Sequence, residues 1–169
     1  MRARVVVESM WGNTEQLARA VAEGMGPSVQ VEVVPVDTAG EDAGQETDLL
    51  VVGGPTHAFG MSRQGTREDA VHRGAAAEHG VSVGTRELLD RLHPAAGGTA
   101  SAAFDTRVRK RGIPGSAARG IAKRLRGLGY RELSGPTTFW VADMDGPLLD
   151  GEVDRAREWG AALARQLTG

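Results

Sequence analysis

The chain has 169 residues and a formal net charge of −2, and its 40% hydrophobic and 25% charged content fits a soluble globular protein of one domain, 1–169. No apolar run approaches the ~20 residues of a membrane span, and no signal-peptide core opens the chain, so a cytoplasmic protein without membrane insertion is expected. The absence of cysteine excludes disulfides, thiol redox centres, iron–sulfur clusters and thiolate metal sites, so any redox chemistry has to come from a bound organic cofactor.

Short apolar runs alternate with helical patterns, which predicts βαβ units around a parallel sheet. Arg4–Glu8 reads as the first strand, and Thr14–Met25 as a helix with Leu17, Val21 and Met25 on one face, stopped by Gly26-Pro27. Val29–Val36 reads as the second strand. Asp48–Gly53 is the third, its run Leu49-Leu50-Val51-Val52 expected where both sheet faces are covered. The long segment from Gly60 to Gly84 predicts a short helix near Thr66–Ala76, and connections of this length are usually functional lids or disordered segments. Leu88, Leu89 and Leu92 mark another helix, Thr99–Phe104 the fourth strand, and Ser116–Leu128 a helix with Ile121, Leu125 and Leu128 inward. Thr137–Ala142 is the fifth strand and Gly151–Leu167 the closing helix, with Asp150 as its N-cap. Five strands and about five helices in this order fit a doubly wound α/β sheet, whose ligands bind at the carboxyl ends of the strands.

The segment Ser9-Met10-Trp11-Gly12-Asn13-Thr14 joins a buried strand to an amphipathic helix through small polar residues. Such a loop offers backbone N–H groups at the positive end of a helix, the arrangement a phosphate needs. It holds no Lys or Arg, so an anion here is gripped by dipoles and hydroxyls. As local structure it also reads as a capping box, with Asn13 as N-cap and Gln16 three residues on.

These residues resemble the phosphate loop of flavodoxins, roughly Ser/Thr-x-Thr-Gly-x-Thr. Ser9, Gly12, Asn13 and Thr14 match the pattern, and Trp11 replaces a hydroxyl residue, leaving its indole N–H as a substitute donor. The Met-aromatic-Gly order is also similar to flavodoxin-like NAD(P)H:quinone oxidoreductases. A second loop, Pro55-Thr56-His57-Ala58-Phe59-Gly60, resembles the family's next flavin loop. Gly60 permits close backbone approach, Pro55 fixes a turn, and His57 or Phe59 can stack on a flavin ring. The third loop, Phe104-Asp105-Thr106-Arg107, stands where flavodoxins place an acid beside the pyrimidine edge. Asp105 aligns with that acid, but the family's glycines and stacking Tyr are absent. Arg107 beside the ring favours its anionic reduced form.

The resemblance implies a three-layer doubly wound sandwich with a five-stranded parallel sheet of order 2-1-3-4-5. It implies FMN as cofactor, a phosphate held by Ser9, Gly12, Asn13 and Thr14, and a ring walled by Trp11, His57, Phe59 and Phe104. The function implied is an electron carrier between a reductase and an acceptor, with no catalytic protein residue. The alternative is an FMN-dependent NAD(P)H:quinone-type oxidoreductase acting on a small quinone-like substrate, with the Gly60–Gly84 segment as lid. A third reading is a binding module of the same fold without flavin.

Other motifs are missing. No G-x-G-x-x-G follows a strand, and neither a G-x-x-x-x-G-K-[ST] loop nor a G-x-S-x-G elbow occurs. His57, His72, His79 and His93 are scattered without metal-ligand spacing. Arg107, Arg109, Lys110, Arg111, Arg119, Lys123, Arg124 and Arg126 follow one another without an Asp or Glu, which reads as a solvated helix face and loop or as a docking surface. Without interleaved aromatics the segment gives no support for nucleic-acid binding.

Overall fold

A computed structural model describes residues 1–76, 81–110, 112 and 114–169. His79 and Arg111, and part of the long segment before Gly84, lie outside the described residues. The valine-rich Arg2–Val7 forms β1, which pairs in parallel with β2 (Gln30–Pro35) on one side and β3 (Leu49–His57) on the other. Val5 stands opposite both Val33 and Val51. β5 (Ala100–Val108) then pairs in parallel with β3.

Side chains alternate between the two faces at a period of two. Val5, Val7, Leu49, Val51 and Phe104 enter the core beneath α1 (Asn13–Met25) and α5 (Glu152–Thr168). Val6, Leu50, Val52 and Ala103 enter the core beneath α3 (Thr85–Arg91) and α4 (Ala117–Gly127). The run Leu49–Val52 is fully buried because layers of helix cover both faces. On the first face α1 and α5 cross where two glycines leave no room for a side chain. A Cβ on Gly160 would stand 2.1 Å from the Val21 carbonyl oxygen, and one on Gly24 would stand 2.0 Å from that of Arg157.

The sheet differs from the expected five-stranded one. Among the described residues it has seven strands in the order β2-β1-β3-β5-β6, with β4 (Gly60–Met61) beside β3 and β7 (Thr137–Val141) beside β5. The two-residue β6 (Arg131–Glu132) pairs with the start of β5 and β7 with its end, so both fill one edge position. Gly135 and Pro136 interrupt that edge, since a proline has no N–H to give the ladder. β4 is antiparallel to β3, its partner in a hairpin.

Two strands also run further than the sequence reading placed them. β3 continues through Gly54, Pro55 and Thr56 to His57, and β5 through Asp105, Thr106 and Arg107 to Val108: Gly54 faces Asp105 and Pro55 faces Thr106, then Thr56 and His57 pair with the hairpin's return strand and Arg107 and Val108 with β7. The segment from the long connection forms α2 at Gln64–His72, ending short of Ala76. No helix among the described residues is long and apolar enough to cross a membrane.

Candidate functional site

The carboxyl ends of β1, β3 and β5 converge on one side of the sheet. Beyond β1 the chain turns through Ser9–Gly12 into α1. The N-cap is Gly12 and not the expected Asn13, and it holds φ 87° with no side-chain cap. Left-handed backbone is cheap only for glycine, and nothing lies within 4 Å of where its Cβ would stand. The Ser9 hydroxyl takes the capping role from outside, accepting from the Gly12 N–H at 3.1 Å and the Glu15 N–H at 3.3 Å. The N–H groups of Asn13 and Thr14 have no carbonyl of their own helix to meet, as in the first turn of any helix.

The side chains of this loop face apart. Asn13 donates through Nδ2 to the Asp145 carbonyl at 3.1 Å, so its amide is turned toward the loop after β7. Thr14 is buried and shares a 3.0 Å hydrogen bond with the Thr106 hydroxyl, which ties the first loop to β5. Met10 packs with Ala70 and Ala75, and Trp11 joins that cluster from α1's side. The Met10 carbonyl accepts from Ala76 N at 3.1 Å, so the end of α2 is pinned over the loop. The Trp11 Nε1 is buried with no hydrogen-bond acceptor among the described residues. A buried donor left unmade costs ~1–3 kcal/mol, which marks it as a candidate ligand contact.

The second loop is a tight hairpin. His57 pairs with Gly60, leaving Ala58 and Phe59 at the tip with φ 43° and 74°. Two positive φ values are the signature of a type I′ turn, normally built from Asn and Gly. Here the tip exposes the Phe59 ring, 61% accessible, and its backbone is braced by Gly115, whose Cβ would stand 1.9 Å from the Phe59 carbonyl oxygen. His57 lies behind the tip. Burial lowers its pKa below the ordinary imidazole value; the Glu8 carboxylate pulls it up and the Arg67 guanidinium pushes it further down.

The third segment is strand rather than loop. Phe104 is wholly buried and meets Phe139 and Trp159 edge-to-face at 6.0 and 5.9 Å. That corrects its expected place in the wall of a ring site: strand parity turns it into the core beneath α5. Asp105 is also wholly buried. Its Oδ2 accepts from Thr56 Oγ1 at 2.9 Å, Ser116 Oγ at 2.7 Å and Ala118 N at 3.0 Å, which makes it an anchor for the start of α4. Thr56 Oγ1 in turn accepts from Ala117 N at 2.9 Å. Asp105 Oδ1 has no partner among the described residues. The Arg107 guanidinium lies 5.5 Å from the Trp140 ring centroid. The closing helix is capped by Gly151 in place of the expected Asp150.

Between the hairpin, α2 and the end of β5 lies a cavity of about 290 Å³, at the lower end of the ~300–1,000 Å³ typical of ligand sites. Thr56, His57, Ala58 and Phe59 line one side, Arg107 and Val108 another. Sequence reasoning missed Thr66, Asp69, Arg73 and Met144, which complete it. Only the expectation of a helix near Thr66 hinted at them; Met144 comes from a loop with no motif. Also missed was the buried network behind His57. Glu8, at the carboxyl end of β1, accepts from Ser62 Oγ, from Thr85 N at 2.7 Å and from Thr85 Oγ1 at 3.2 Å. Arg67 is wholly buried and donates to Ser62 Oγ at 2.8 Å and to the Val81 carbonyl at 2.6 Å, and its Nη2 lies 3.0 Å from Glu87 Oε2. Burial raises the Glu87 pKa, but the hydrogen bonds from Arg67 and Gly84 outweigh it and hold the carboxyl below its ordinary value. Among the described residues no group of His, Asp and Glu could hold a metal ion.

Met10, packed on Ala70, links the helix N-terminus with its left-handed glycine to a part-apolar cavity that carries an aromatic edge, an imidazole, two guanidinium groups and the Asp69 carboxylate. The site can hold a small anion through backbone N–H groups and a planar ring beside Phe59. No family model and no curated protein matches the sequence. Solved structures match it along its whole length. A flavodoxin from the domain Archaea superposes with a TM-score of 0.69 at 22% identity, covering 100% of both chains. Flavodoxin 1 from Bacillus cereus gives a TM-score of 0.70 at 17% identity over 98% of each. The Flv1 flavodiiron core from Synechocystis sp. PCC6803 gives 0.68 at 17% identity, matching 99% of this chain but 36% of its own. With its helix-covered parallel sheet and these full-length likenesses, the chain has the flavodoxin-like fold.

Proposed function

We propose that the chain, acting as one domain, binds FMN and carries electrons between a reductase and an acceptor. The reading rests on one observation: a helix N-terminus with a left-handed glycine and an orphaned indole N–H is linked, through Met10 packed on the cavity-lining Ala70, to a cavity at the carboxyl ends of β3 and β5. Phosphate falls to the first-turn N–H groups of Asn13 and Thr14, with Trp11 Nε1 as the added donor. Ser9, already bonded to the N–H groups of Gly12 and Glu15, shapes the loop. Asn13 Nδ2 and the Thr14 hydroxyl brace it against the loop after β7 and against Thr106. The ring falls to the cavity, with Phe59 as its aromatic wall and Thr56, His57, Arg73, Arg107 and Met144 around it. Phe104 and Asp105 serve the scaffold.

Bound FMN supplies the electron-transfer chemistry. The chain's own part is to exclude water from one ring face and to set the charge beside it. His57, held neutral by burial near neutral pH, can donate or accept a hydrogen bond without adding charge. Arg73 and Arg107 favour negative charge on whatever occupies the cavity.

A second reading, a quinone-type oxidoreductase, is favoured by α2 standing over the cavity as a wall of room for a small acceptor. Titration of the purified chain into FMN tests both. Saturable one-to-one quenching of flavin fluorescence is expected, and quenching no greater than with an unrelated protein refutes both. NADPH consumption with a quinone by the loaded chain alone selects the enzyme; its absence, with reduction by a separate reductase, selects the carrier.

A further inference from the structure

The surface beside the cavity carries charge out of proportion to the chain's net −2. β4, the return strand of the hairpin, is enclosed by cations from three elements. Arg86 donates to the carbonyls of Met61 and Ser62 at 3.1 and 3.3 Å, Arg63 follows directly in the chain, and α4 crosses with Gly120 against Met61. Arg119 and Lys123 flank that crossing and are exposed. Neither pairs with a carboxylate among the described residues, whereas Arg124 is taken by Asp90 and Arg126 by Glu132 at 2.7 Å. Arg86 spends its hydrogen bonds on carbonyls, so its charge is not cancelled. Beside Lys123 a groove of about 590 Å³ runs between α3 and α4, floored by Met61, Leu89 and Leu128, with Gly120 and Gly127 leaving its wall bare of side chains. Across the cavity the sign reverses: Asp143, Asp145 and Asp150 are exposed on the loop after β7. The cavity mouth therefore lies between a positive and a negative rim.

We infer that the basic rim around β4, with Arg63, Arg86, Arg119 and Lys123, is the docking surface for an acidic redox protein that exchanges electrons with the cavity's ligand. The inference rests on the flavin reading above. The hairpin makes the link, because Met61 floors the groove while Ala58 and Phe59, two residues earlier, line the cavity. A partner seated on α4 and β4 touches the exposed edge nearest the ring. The positive rim draws an acidic partner, and the opposite rim repels it, which fixes its orientation as well as its rate of arrival. The occupant is a protein and not a nucleic acid, since Phe59 is the one exposed ring beside the rim among the described residues, too few to stack successive bases, and the acidic loop stands beside it.

Stopped-flow electron transfer between the FMN-loaded chain and a strongly acidic plant-type [2Fe–2S] ferredoxin tests this. The rate constant is expected to fall about tenfold or more between roughly 20 and 300 mM salt, as charge steering is screened. Arg119→Glu with Lys123→Glu should lower it about tenfold at low salt and flatten the salt dependence; the Gln pair should fall between, and Arg165→Glu on α5 should leave it unchanged. A wild-type rate insensitive to salt, or equal rates in the wild type and the double Glu variant, overturns the proposal. So does tighter binding of poly(U) than of ferredoxin, lost in the same variant. FMN titration of each variant separates the two readings. If no form binds FMN, the flavin reading fails, and calorimetric titration of ferredoxin into the chain decides docking alone: binding lost in the double variant sustains the surface, and no binding removes it.

Discussion

Replacing Arg67 by Met should unfold the chain more easily by about 3–5 kcal/mol, because it strips a buried guanidinium from its ion pair with Glu87 and from the network that satisfies the buried Glu8 carboxylate. Arg67 and Glu8 are 0% and 3% exposed, and the Ser62 hydroxyl links them, accepting from Arg67 and donating to Glu8. Water cannot readily replace the guanidinium, and the Val81 carbonyl loses its 2.6 Å partner as well. The Ser82 carbonyl, which accepts from Arg67 Nη2 at 3.3 Å, belongs to an exposed residue, so it recovers water and adds little. For a chain of 169 residues, ~3 kcal/mol corresponds to a fall in Tm of about 6–12 °C. Urea unfolding gives the free energy, and a cycle with Glu8→Gln tests its origin. Once Glu8 carries no charge, the same Arg67→Met change should cost about 1–2 kcal/mol less, the remainder belonging to the Glu87 ion pair and the Val81 carbonyl. A cost below ~1 kcal/mol in the wild-type background, or the same cost in both, would refute an electrostatic origin.

Gly160→Ala should cost about 1–3 kcal/mol or more, since the new methyl meets the Val21 carbonyl and α1 and α5 must separate; an unchanged urea midpoint contradicts that close crossing. Trp11→Phe removes a donor that has no acceptor, so the free chain should keep its stability within about 1 kcal/mol while FMN affinity falls about fivefold or more. Equal affinity of the two forms removes the indole N–H from the ligand's contacts. His57 should titrate below ~6.5 by imidazole NMR, lower still in Glu8→Gln and higher in Arg67→Met. The sign follows from a depressed folded pKa: as pH falls below ~6.5 the unfolded chain takes up this proton first, so the histidine's contribution to stability declines there. A midpoint at or above ~6.5 contradicts its burial.

The layers of the fold were legible because burial on both faces demands continuous apolar strands, and Val5–Val7 and Leu49–Val52 supply them. The ends of β3 and β5 were not, because Gly54, Pro55 and Asp105 read locally as loop. Their pairing with each other, with β4 and with β7 makes them strand. Tertiary pairing overrode local preference there. The same error misplaced Phe104, since a ring's position in sequence says nothing of its face until the register is known. Asn13 looked like a cap because its chemistry suits one, yet the left-handed turn at Gly12 put the cap one residue earlier. Glu8, Ser62, Arg67 and Thr85 come from four separate segments, and no spacing rule joins them.

The hairpin tip has a consequence for engineering. Ala58 and Phe59 hold a backbone that Asn and Gly would adopt with less effort, so the molecule keeps a spring wound at the rim of its cavity. Rewriting that pair as Asn-Gly would relax the spring and harden the fold, but it would also take away the aromatic edge that any planar guest meets first. Robustness and recognition therefore compete for the same two residues.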